Sequence, residues 1–226
     1  MSELSGKAAL IVGADEVGRG IAKRFTRAGG DVSIADAPDH LDHMASDILV
    51  LNMLGKPVLA SLEDQSTSDF GHALERVTAM AATMRAVLPH MRARNNGRII
   101  LVGHRYGECV NEGIGPYSTA AAALVGLMRT AAVEWGRWGV TTNLLLPFAN
   151  TDELRAAHAK RPKIIDIFTG QVPLKRAGDP VEDIGGAALY LASTDGAFLN
   201  GQILHADGGQ HIAGPVLNPV KYIAAS

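Results

Sequence analysis

Three observations predict an α/β chain built on one doubly wound parallel sheet. Apolar runs of strand length alternate with segments of helical periodicity along the whole sequence. The first strand and helix are joined by a glycine-rich turn, where "KAALIV" (7–12) meets Gly13 and "GRGIAKRFTRA" (18–28) repeats Ile21, Ala22 and Phe25 at helical spacing. Gly29 and Gly30 then stop that helix before a β-rich run, giving a strand-helix-strand unit that should be parallel and right-handed.

The elements follow in order. Lys7 to Val12 is the first strand and Asp31 to Ala35 ("DVSIA") the second. Asp47 to Asn52 ("DILVLN") reads as a further buried strand. Asp69 to Arg94 carries a long helical pattern, interrupted near its end by Pro89, before "NNGRIILVG" turns into a strand at Arg98 to Val102. Another helix spans about Pro116 to Trp138, followed by a strand at Val140 to Leu146, a helix after Asp179-Pro180 and a last strand near Gln202 to His205. No repeat or linker divides the chain, so residues 1–226 are expected to form a single domain.

Composition excludes several classes of function. At 226 residues the chain is 47% hydrophobic and 19% charged, ordinary for a packed protein. A net charge of −2 argues against nucleic acid as the main partner and offers no electrostatic case for a membrane surface. The lone cysteine, Cys109, permits no internal disulfide, and the start "MSELSGKAALIVGAD" lacks the flank and apolar stretch of a signal peptide. A cytoplasmic location is expected. His40 and His43 in "HLDH" read as a solvated turn, and no metal site is expected.

The segments "MRAVLPHMRARNNGRIILVG", "GPYSTAAAALVGLMRTAAVEWGRWGVTTNLLLP", "VPLKRAGDPVEDIGGAALYLAS" and "NGQILHADGG" resemble, in order, those of the short-chain dehydrogenase/reductase family. The resemblance covers nearly the whole chain and implies a Rossmann-type sheet, usually in a dimer or tetramer. Between Ala35 and Asp47 only Asp36 to Ser46 remain, where the family has a helix, an edge strand and another helix. The third, edge strand and its flanking helices are therefore expected to be missing, and with them much of the wall around a dinucleotide's adenine. A rival alignment makes Asp36 to Gly55 a helix and Pro57 to Leu62 the edge strand, deleting a central strand instead.

The family's cofactor positions are altered. The turn "GADEVGRG" places Gly13, Gly18 and Gly20 at a spacing that departs from the family's GxxxGxG, and Asp15 and Glu16 bring negative charge to where phosphates would lie. Asp36 ends the second strand, where an acidic residue would grip the adenosine ribose, or serves as a turn residue before Pro38. Asn52 alone remains of the family's Asn-Asn-Ala-Gly, Pro147-Phe148 replaces a Pro-Gly near the nicotinamide, and Thr151 resembles a carboxamide-binding threonine. These positions are expected to be vestigial, with no cofactor in this chain.

The catalytic positions change as well. Tyr117 matches the family tyrosine, but Ala121 stands where the lysine that lowers its pKa should be. A tyrosine with a pKa of about 10 is ionised roughly once in a thousand at neutral pH, and no other cation lies on the same helical face. The serine position is His104, and the asparagine of the long helix falls near Arg76. The tetrad thus reads Arg76, His104, Tyr117 and Ala121. By contrast, the helices around 69–91 and 116–138, which carry the family's main subunit contact, keep small side chains suited to close helix packing, and the C-terminal strand and tail resemble a second assembly surface.

The expectation from these departures is a non-catalytic subunit in a heterotetramer with an active paralogue that holds NAD, an arrangement resembling the two-component hydroxyacyl-CoA dehydrogenases. Two alternatives stand beside it. One is a divergent active oxidoreductase using Tyr117 and His104; the other is a small-molecule binding or sensor protein on the same scaffold.

Overall fold

The computed structural model describes residues 3–37, 45–109 and 111–213. Six strands, β1 (Ala8–Val12), β2 (Asp31–Ala35), β3 (Ile48–Leu51), β4 (Gly97–Val102), β5 (Val140–Pro147) and β6 (Ile203–Ala206), form one sheet in the order β2-β1-β3-β4-β5-β6. Every neighbouring pair is parallel. β3 lies between β1 and β4, with Ile48 beside both Ala9 and Arg98, and β2 forms the edge. This bears out the expected loss of the family's edge strand. The rival alignment fails because residues 48–51 are a central strand and residues 52–61 contain no strand. With no strand beyond it among the described residues, β2 leaves Ile34 43% exposed.

Two apolar layers hold helices to the two faces. The helices α2 (Thr67–Ala93) and α3 (Gly115–Trp135) cover one face, where Met80, Met84, Leu124 and Met128 pack on Leu10, Leu49 and Leu101. On the other, α1 (Glu16–Arg27) and α6 (Gly185–Ala192) set Ile21, Phe25 and Leu189 against Ile11, Val50, Ile100 and Leu145. Because successive strand residues point to opposite faces, a strand covered on both sides must be apolar at every position. β3 (ILVL) is fully buried along its length for this reason.

Local sequence explains the helix ends. Ser66 and Asp69 form a reciprocal capping box at the start of α2. Pro89 does not end α2 as its position suggests; it is exposed, and the helix continues to Ala93. Asp179 accepts from the backbone N–H groups of Val181 (2.8 Å) and Glu182 (2.9 Å), starting a π-helical turn (Pro180–Ile184) that leads into α6. Two helices escape the sequence reading, α4 (Asp152–Lys160) and α5 (Pro162–Gln171), both between β5 and α6. No helix among the described residues is long and apolar enough to cross a membrane. His40, His43 and the tail beyond residue 213 lie outside the described residues.

Candidate active site

The C-terminal ends of β1, β3, β4 and β5 open onto a cavity of about 420 Å³. In the sheet order, β1 is the strand at which the chain's direction of winding reverses, the place where open α/β sheets bind ligands. The lining includes Asp15, Asn52, His104, Tyr106, Tyr117, Phe148 and Thr151. Topology thus brings the cofactor positions Asn52 and Thr151 and the catalytic positions His104 and Tyr117 to one cleft, while Asp36, Arg76 and Ala121 lie outside its lining.

The glycine turn is fixed by backbone packing. Gly13 has φ +102°, and a Cβ there would fall 1.9 Å from the Asn52 carbonyl oxygen; at Gly20 a Cβ would meet the Pro180 carbonyl oxygen at 2.4 Å. Gly18 is equally close to the Gly13 carbonyl. These contacts seat α1 against the sheet and the π-helical turn. Asp15 caps α1: its Oδ1 accepts from Gly18 N–H at 2.9 Å and from Asn52 Nδ2 at 2.6 Å. Glu16 faces the other way, accepting from Asp152 N–H and from Arg155 Nη2 at 2.7 Å, while Arg19 turns back to donate to the Ala14 carbonyl. A carboxylate therefore occupies the amino end of α1.

At the other vestigial positions, Thr151 caps α4, its Oγ1 accepting from Leu154 N–H at 3.3 Å. Phe148 lines the cavity rather than closing it. Asp36 is exposed just beyond β2, away from that lining.

Three rings meet at the deep end. His104 lies 4.1 Å from Tyr106 and 5.8 Å from Tyr117 between ring centroids, and the two tyrosines are 6.4 Å apart. β4 delivers His104, which caps a short 3-10 turn (Arg105–Gly107) by accepting the Tyr106 N–H at Nδ1, 3.3 Å away. An Nδ1 that accepts leaves the proton of a neutral imidazole on Nε2. Burial, reinforced by the charge of Arg105, lowers the His104 pKa to about 4, so the ring is neutral at physiological pH. Tyr117 stands at the start of α3, where burial and then Tyr106 and Asp15 push its hydroxyl up to about 12.

Ala121 is buried on α3 in the core with Leu124 and Met128. Gly107 packs onto its backbone: a Cβ at Gly107 would approach the Ala121 carbonyl carbon to 2.8 Å. A cation nonetheless reaches Tyr117 from a different element, correcting the expectation drawn from α3 alone. Arg76 of α2 shares a smaller pocket with Tyr117, and its charge opposes the rise in the tyrosine's pKa. Tyr106 carried no signal in the sequence, since its place depends on the turn that His104 caps. Cys109 is exposed, and no group of metal-ligating side chains occurs among the described residues.

A family profile described as enoyl-(acyl carrier protein) reductase matches residues 41–211. The chain belongs to the short-chain dehydrogenase/reductase family of NAD(P)-dependent oxidoreductases. It is 26% identical to oxidoreductase UcpA of Salmonella typhimurium, over 92% of this chain and 96% of that one. It is 33% identical to gluconate 5-dehydrogenase of Gluconobacter oxydans, over 72% of this chain and 63% of the relative. Among solved structures, gluconate 5-dehydrogenase of Burkholderia cenocepacia in complex with NADP and tartrate superposes with a TM-score of 0.81 at 28% identity, covering 94% of this chain and 98% of the other. Relatives aligned along the chain are thus named as oxidoreductases. This overturns the expectation of a non-catalytic subunit supporting a paralogue of the hydroxyacyl-CoA class, and favours the divergent oxidoreductase.

Proposed function

We propose that this chain is itself an oxidoreductase that reduces a carbonyl substrate, using Tyr117 as proton donor and His104 as carbonyl-polarising donor. The observation that supports this reading is the meeting of two neutral N–H and O–H donors, His104 Nε2 and Tyr117 Oη, in the cleft at the strand ends. With its pKa pushed up to about 12, Tyr117 holds its proton throughout the physiological range and so meets a substrate as a donor. An alkoxide forming from a carbonyl is more basic still, so the proton moves from Tyr117 Oη to that oxygen. The phenolate left behind regains its proton from solvent through the open cleft, so the resting state of Tyr117 suits the reduction step. His104 takes the part of the family serine by donating from Nε2 to the same oxygen, steadying its developing charge without giving up a proton.

The family implies a nicotinamide dinucleotide, whose reduced form supplies the hydride when bound. The residues present fit its nicotinamide end, where Pro147, Phe148, Ala149 and Thr151 border the cavity beside His104 and Tyr117. They fit its phosphates less well, because Asp15 already takes the Gly18 N–H and sets like charge against them. This predicts weak binding by this chain in place of the absence expected from the sequence. Self-assembly through the outer faces of α2 and α3 accompanies the reading.

The test is turnover by the pure chain with NADH or NADPH and a panel of aldehydes and ketones. Tyr117→Phe is expected to lower kcat at least about a hundredfold with an unchanged circular dichroism spectrum. No turnover of any carbonyl by the wild-type chain, or full activity in the variant, would sink the proposal.

A further inference from the structure

Charged side chains lie on both sides of Tyr117. Asp15 and Glu153 line the main cavity beside it. Beyond it lies a pocket of about 90 Å³ that Tyr117 shares with Lys56, His72, Arg76 and Asp69. Most of these charges are already engaged. Lys56 Nζ pairs with Glu153 Oε2 at 3.0 Å, and the Asp69 carboxylate is held in the α2 cap, accepting from Ser66 N–H at 2.8 Å and from Ser66 Oγ at 2.7 Å.

Arg76 differs from both. Among the described residues no carboxylate lies within ion-pair distance of it, and its one hydrogen bond is a long donation, 3.4 Å, from Nη1 to the Met53 carbonyl. Its guanidinium rests on the backbone of Gly55, where a Cβ would fall 2.5 Å from Nη1 and 2.9 Å from Cζ. Gly55 has φ +69°, a conformation that calls for glycine, and the missing Cβ leaves the guanidinium room against the backbone there. The loop after β3 thereby seats a planar cation beside Tyr117 with most of its five N–H donors unspent. Such a group recognises a carboxylate through two parallel hydrogen bonds.

We propose that Arg76 is a specificity-determining residue of this site and holds a carboxylate of the substrate, making the substrate class oxo acids rather than neutral aldehydes or ketones. The pocket offers about three water volumes, enough for a carboxylate and too little for a ring. Asp15 repels an acid group on the main-cavity side, whereas in the small pocket the Asp69 carboxylate is taken up by the Ser66 cap and Arg76 is free to pair, so the carboxylate points toward α2 and the carbonyl lies between Tyr117 and His104. The fate of that carbonyl rests on the reductase reading above, whereas the seat for the carboxylate does not.

The experiment is titration calorimetry with pyruvate, 2-oxobutanoate and levulinate, each against its methyl ester, on the full chain and on Arg76→Lys and Arg76→Gln. Arg76 is exposed on α2, and unchanged melting temperatures will show that both variants fold. At least one acid is expected to bind about tenfold more tightly than its ester. R76Q should bring acid and ester level, and R76K should keep part of the difference. Equal binding of acid and ester by the wild type, no binding of any acid, or a preference that survives in R76Q would overturn the proposal. Turnover of the bound oxo acid with NADH or NADPH, measured separately, reports on the reductase reading: its absence together with intact carboxylate binding would count against that reading alone.

Discussion

His104 shows how one substitution reorganises a site. A histidine at the end of β4 can accept a backbone N–H with one nitrogen and offer a donor with the other, which a serine hydroxyl cannot do at the same reach. Its neutrality has a cost that is measurable as stability. The native pKa of about 4 lies below the ordinary 6.5, so between those values the unfolded chain takes up a proton that the native chain refuses. Native stability therefore falls as the pH drops from 6.5 to 4, by up to about 3 kcal/mol for this residue. In His104→Gln, which keeps an acceptor and a donor, denaturant titrations at pH 7 and pH 4 should differ by correspondingly less. An equal loss in both proteins would show that His104 is not the residue responsible.

At the scale of elements, the amino end of α1 decides how the cleft treats anions. A helix amino terminus attracts negative charge, and here the chain supplies its own in Asp15. Asparagine caps a helix as well as aspartate does, so Asp15→Asn should leave the stability of α1 nearly unchanged while removing the like charge. We expect NAD(H) or NADP(H) to bind about fivefold more tightly to that variant by titration calorimetry. Unchanged affinity would mean that the phosphates do not approach the turn. Elements also explain how Arg76, placed in the altered tetrad by resemblance, comes beside Tyr117 although 41 positions separate them in the chain. α2 and α3 pack side by side on one face of the sheet, and this brings residue 76 of one beside residue 117 of the other.

For the molecule as a whole, losing the edge strand trims the sheet without touching its middle. β1, β3, β4 and β5 still align their C-terminal ends, so the cleft survives although β2 is left at the edge. The outer faces of α2 and α3 carry small exposed residues, among them Gly71, Ala82, Ala122 and Gly126, with Val133 82% exposed beyond them. Nothing lies within 4 Å of a Cβ built on Gly126, so Gly126→Arg should fold as the wild type does. If the chain assembles through this face, light scattering will find the wild type as an oligomer and the variant as a monomer. An unaltered assembly in the variant would place the contact elsewhere.

The apolar runs and their spacing were enough, in the sequence alone, to read a parallel sheet and its strands along the chain, whereas the missing edge was read from the family resemblance, with a rival alignment beside it. A strand buried on both faces must be apolar at every residue, and a helix on a sheet must be apolar at every third or fourth. The positions of Tyr117, His104 and Ala121 were legible from the resemblance to the family's motifs, and of the three only Tyr117 and Ala121 share one element, α3. α4 and α5 were not: neither gives a core-facing run as regular as those of α1 or α3, and α4 buries none of its residues. Only the tertiary structure decided what the altered residues do together. The tautomer of His104, the pKa values near 4 and 12 and the seating of Arg76 on Gly55 come from burial and from contacts between residues far apart in the chain. Reading each substitution alone implied a loss of function, because Arg76 was seen only as a replaced asparagine and not as a cation acting on Tyr117 from another helix.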